Sequence, residues 1–103
     1  MADLTQPPDI DEALRRLIEQ PSYAARLLVV TARMLEMDAT EPMTDVADRR
    51  ALNIATDVIL TPLPQAVRDD ALARATRARP VLTDGITRGE AALRLRAAAR
   101  DLG

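Results

Sequence analysis

Histidine, cysteine, lysine, tryptophan and phenylalanine are all missing from this 103-residue chain. Their absence removes most of the side chains that carry proton transfer, covalent catalysis and tight transition-metal binding at neutral pH. Ser22 is the only serine, and no histidine or lysine exists to activate it, so a hydrolase triad has no base. The three glycines, Gly85, Gly89 and Gly103, do not form a phosphate-cradling loop. On these grounds no catalytic, cofactor-binding or metal-binding residue is assigned, no cofactor is expected, and the chain reads as a non-enzyme. Lacking cysteine, it has no disulfide framework. The longest apolar run, Leu27-Leu28-Val29-Val30, is far too short to span a bilayer. Residues 1–8 have neither the basic start nor the apolar stretch of a signal peptide, so a cytoplasmic protein is expected.

What is present is apolar but small. Hydrophobic residues make up 48% of the chain and charged ones 29%, the balance of a globular protein. Alanine and leucine dominate, and Tyr23 is the only aromatic residue. Small side chains let helices approach closely, so the composition reads as helix packed on helix. All 14 basic residues are arginine, a bias that a GC-rich genome produces without selection. The same bias also supplies guanidinium forks that grip carboxylates and phosphates.

Seven prolines punctuate the chain, and the segments between them carry helical periodicity. Residues 1–8 read as a flexible arm and 9–103 as a single helical domain. A first helix from Asp9 places Ile10, Leu14, Leu17 and Ile18 on one face, and Pro21 ends it. Ser22 caps a second helix reaching to about Asp38. Its apolar stripe is predicted as Tyr23, Leu27, Val30, Met34 and Met37, widened by Ala24, Leu28 and Leu35. Such a broad apolar surface predicts a helix that is central or shared with a second subunit. Thr44 and Asp45 open a third helix, with Ala47, Ala51, Ile54 and Val58 on its inner face and Ala55 and Ile59 beside them. The fourth, from about Pro64 to Arg79, carries Val67, Ala71, Ala75 and Ala78. Thr87-Arg88-Gly89-Glu90 fits a capping box for the last helix, whose core face is Ala91, Leu95, Ala98 and Leu102. The expected fold is all-α, a compact bundle of about five short helices with no strands.

Acids are the remaining candidates for chemistry. Glu36, Asp38, Glu41, Asp45 and Asp48 place five carboxylates within thirteen residues. They lack the glycine-centred calcium loop and any Glu-x-x-His pair, and Asp45 and Asp48 suit a helix start. Charge is uneven: residues 1–67 hold six arginines and eleven acids, whereas 68–103 hold eight arginines and five acids. This asymmetry suits an acidic protein partner, a nucleic acid or head-to-tail self-association.

The run Gly85-Ile86-Thr87-Arg88-Gly89-Glu90-Ala91, followed by an Ala/Leu/Arg helix to Arg100, resembles the middle of ANTAR-type RNA-binding domains. Those show glycine, an aliphatic residue, Ser or Thr, two variable positions and Glu-Ala before a helix rich in leucine and arginine. The likeness covers about a sixth of the chain. Pro80 interrupts what would be the family's preceding helix, and its third helix has no counterpart, so the family's function is not carried over.

The expected function is a small interaction protein: a regulator, adaptor or assembly factor that binds another protein and pairs with itself as a homodimer. Met34, Met37 and Met43 supply a flexible apolar corner for a partner, and Leu93 stands between Arg96 and Arg100 on a basic helix face. The alternative is a nucleic-acid-binding regulator using Arg77, Arg79, Arg88, Arg96 and Arg100. Against it stand the acidic net charge of −2 and a final helix without asparagine, glutamine or lysine to read bases.

Overall fold

The computed structural model describes residues 21–82 and 85–103; the arm and first helix expected before Pro21 lie outside them. The described part is all-α, with four helices: α1 (Tyr23–Glu36), α2 (Asp45–Ile59), α3 (Gln65–Ala78) and α4 (Arg88–Leu102). Extended pairing among the described residues is limited to a lone antiparallel bridge between Pro42 and Thr87. None of these helices is long and apolar enough to cross a membrane.

Three helix starts follow the sequence closely. The hydroxyl of Ser22 accepts the Ala25 N–H, that of Thr44 the Ala47 N–H, and that of Thr87 the Glu90 N–H, each at 3.1 Å. Each bond satisfies an N–H group that the first turn leaves without a helical partner. The Glu90 carboxylate faces forward instead of closing the capping box, pairing with Arg94 at 3.2 Å. Helix α3 starts after Pro64 with no side-chain cap. Proline's fixed φ suits that entry.

Helix α1 is the centre of the bundle. It packs against α2, α3 and α4, most extensively against α4. Its inner arc is Ala24, Ala25, Leu27, Leu28, Thr31, Ala32 and Leu35, all buried. The predicted stripe therefore lies about a third of a turn from the real one, at the helical rotation of 100° per residue. Of its members only Leu27 is buried; Val30 and Met34 are half-buried, and Tyr23 and Met37 are exposed. The residues expected to widen the stripe are the core. Three helices converge on α1, and its alanines allow each a close approach. The Thr31 hydroxyl donates to the Leu27 carbonyl at 2.7 Å, so its burial leaves no polar group unpaired.

The same shift affects α2. Ala51 and Ala55 are buried, with Leu52 and Ile59 half-buried, whereas Ile54 and Val58, expected inside, are exposed. In α3 the inner pair is Ala71 and Ala75, and Val67 is exposed. In α4 the face matches expectation more closely: Ala91 and Leu95 are buried, Ala98 and Leu102 half-buried, and Ala92 and Ala99 complete it. Together these residues form one hydrophobic cluster fed by all four helices.

Backbone bonds lace the α1–α2 connection to the start of α4. Met43 donates to Ile86, Arg88 to Glu41 and Gly89 to Ala39, each at 2.9 Å. A Cβ on Gly89 would lie 3.1 Å from both the Ala39 side chain and its carbonyl oxygen, so glycine permits this approach. The corner at residues 37–43 is thereby held in place, and with it the start of α2.

Candidate interaction surface

Helix α2 contacts no described helix other than α1. Its outer side therefore remains open. Val46 is 67% exposed, Ile54 40% and Val58 62%. With Arg50 they occupy successive i, i+4 positions, a ridge inclined to the helix axis. Three aliphatic side chains at this exposure on one helix of so small a bundle form a patch, not scattered surface leucines and valines.

Where α1 ends, Met37 (75% exposed) joins this ridge. Met34, Met37, Val46, Ala47 and Ile54 line a groove of about 250 Å³ between α1 and α2, with Asp38, Arg50 and Arg88 at its edge. Two of the three methionines expected to face a partner thus come together. The third does not join them. Met43 is half-buried, donates its N–H to Ile86, and lines a different, polar cleft with Thr44, Asp48 and Arg79.

On α4, Leu93 is 68% exposed, as the helical projection predicts. Its two basic neighbours differ. Arg100 is exposed and lies beside a shallow apolar groove containing Ala25, Val29 and Ala99. Arg96 crosses to α1 and forks onto the Glu36 carboxylate, Nε to Oε1 at 2.6 Å and Nη2 to Oε2 at 3.0 Å. The bond from Arg96 holds the Glu36 carboxyl below its ordinary pKa, with Arg33 adding a smaller attraction. The same bond raises the pKa of Arg96. This guanidinium joins two helices and its charge is already matched.

The other arginines divide similarly. Arg79 pairs with Asp48, tying the end of α3 to the start of α2. Arg88 reaches Asp38 at 3.5 Å and donates to the Pro42 carbonyl at 3.1 Å. Arg77 is exposed on α3 and forms no ion pair among the described residues. Of the five arginines considered for nucleic acid, three are thus engaged with carboxylates on neighbouring segments.

The acidic stretch 36–48 disperses in the same way. Glu36 turns to Arg96, Asp38 to Arg88 and Asp48 to Arg79, while Asp45 sits in the first turn of α2. Among the described residues, no three acidic side chains converge as metal ligands would. The outer ridge of α2 escaped the sequence reading because Ile54 and Val58 repeat at helical spacing, which is also the spacing of a core face. Compared with protein-family models, curated proteins and solved structures, the chain matches none.

Proposed function

We propose that this chain is a small helical interaction protein, an adaptor, regulator or assembly factor that binds another protein and pairs with itself. The observation that carries the reading is the open apolar ridge of α2 with Met37 at its end, on a helix whose single helical neighbour among the described residues is α1. Exposed aliphatic side chains beside charged ones suit a protein surface, where an apolar centre is ringed by polar contacts. Leu93 with Arg100 forms a second, smaller patch on α4. The internal pairing of Arg79, Arg88 and Arg96 favours a protein over a nucleic acid as partner, because phosphate affinity depends on cations available for counterion release.

The test is co-purification of the tagged protein from its native cells at low salt, with and without nuclease. Stoichiometric capture of a protein, insensitive to nuclease and lost in Met37→Glu, is the expected result. Capture that nuclease abolishes would move the function to the arginines.

A further inference from the structure

We propose that the outer face of α2 is a two-fold interface on which a second copy of this chain lies antiparallel, placing Arg50 of each copy opposite Asp57 of the other. This rests on the interaction reading above and names both the partner and the geometry of self-pairing. Three observations carry it. First, among the described residues α2 has a single helical neighbour, so no described helix covers the side opposite α1. Secondly, that side carries an apolar ridge, Val46, Ile54 and Val58, and its shallow groove is shared by Val46, Arg49, Arg50, Asn53, Ile54 and Asp57. Thirdly, its charges are arranged for a copy of itself.

Arg49 and Arg50 lie toward the start of α2 and Asp57 in its last turn, and none of the three forms an ion pair among the described residues. Arg50 and Asp57 are seven residues apart, about two turns, and so share one face. A two-fold axis passing between Asn53 and Ile54 brings each Arg50 to the partner's Asp57 twice over. A parallel arrangement would instead set arginine on arginine and aspartate on aspartate, so charge selects the antiparallel one.

Asp57 favours the same outcome. A carboxylate near a helix C-terminus faces the negative end of the helix dipole, and no basic residue occupies the last turn of α2 to offset it. An antiparallel neighbour supplies both an arginine and a positive helix end. Interleaving the i, i+4 ridges of two such helices gives a crossing of about −50°, close enough at the centre for Ile54 to meet Ile54. Because each copy uses one patch once, the assembly closes as a dimer and does not extend into a filament.

The experiment is a charge exchange read by molar mass, using sedimentation or light scattering on the full chain. Wild type is expected to be dimeric. Arg50→Glu and Asp57→Arg each create two like-charge pairs and are expected to weaken the dimer by about tenfold or more. Mixing the two variants pairs opposite charges at both positions, so dimer returns; the double variant Arg50→Glu/Asp57→Arg also dimerises. Circular dichroism checks that each variant retains its helix content. A wild-type dimer indifferent to the single reversals, or reversals that mixing does not rescue, would overturn the α2 interface while leaving self-pairing intact. A monomeric wild type overturns the interface and self-pairing together, and capture of a different protein then decides the function independently.

Discussion

Arg96 of α4 and Glu36 of α1, sixty residues apart, meet in a two-pronged hydrogen bond across the helix pair with the largest contact in the bundle. The pair converts part of an apparently basic helix face into a fastening between helices. It also sets an acid-sensitive contribution to stability. Glu36 has a depressed pKa in the folded chain, so its contribution is fully present above the ordinary value of 4.5 and lost as pH falls through the lower folded value. Both side chains are about one-third exposed, so solvent screening holds the pair to about 1 kcal/mol or less. Thermal melts from neutral to acidic pH are expected to show a shallower acid decline for Glu36→Gln than for wild type, with the two curves converging at the acid end.

Leu95 and Leu93 lie two residues apart on α4, one fully buried and the other exposed. Leu95→Ala removes core volume at the α1 contact and is expected to cost about 2–5 kcal/mol. Leu93→Ala is expected to change stability by about 0.5 kcal/mol or less in either direction. Denaturant titration of the two variants checks the assignment of the inner face. Equal losses would place Leu93 in an intermolecular core.

Replacing a helical glycine with alanine normally favours a helix by about 1 kcal/mol. At Gly89 the opposite is expected. The added Cβ would press to 3.1 Å on the Ala39 carbonyl oxygen, which also accepts the Gly89 N–H at 2.9 Å. Gly89→Ala should lower the melting temperature and speed amide exchange at residues 41–43 and 88–89, where the connection is laced to α4.

Thr44 and Thr87 cap α2 and α4 through equivalent bonds to the N–H three residues on. Each replacement by alanine is expected to cost about 1 kcal/mol. Among the described residues α2 has α1 as its single helical neighbour, so Thr44→Ala should also expose its first-turn amides to exchange locally. Hydrogen exchange resolved by residue separates local fraying from the global loss.

The sequence reading and the folded chain agree where the physics is local. Ser22, Thr44 and Thr87 were legible as helix starts because capping acts over three residues, and Pro62 and Pro64 marked the break before α3 for a similarly local reason. Leu93 was legible as exposed because Ala91 and Leu95 on the same helix define the opposite face. The inner faces of α1 and α2 were not. Each helix has two apolar arcs, and periodicity alone gives no reason to prefer the alanine-rich one. Leucine, methionine, isoleucine and valine weigh more in such a reading than alanine, although alanine is what a neighbouring helix approaches most closely.

Chain chemistry alone therefore determined the helical class, the helix starts and the absence of histidine, cysteine and lysine chemistry. These depend on residue identity or on neighbours within one turn. Tertiary structure decided which arc of each helix is buried, that Glu36 takes Arg96, and that α2 keeps its apolar ridge outside. Those outcomes depend on which helices share α1, and that follows from packing all of them at once.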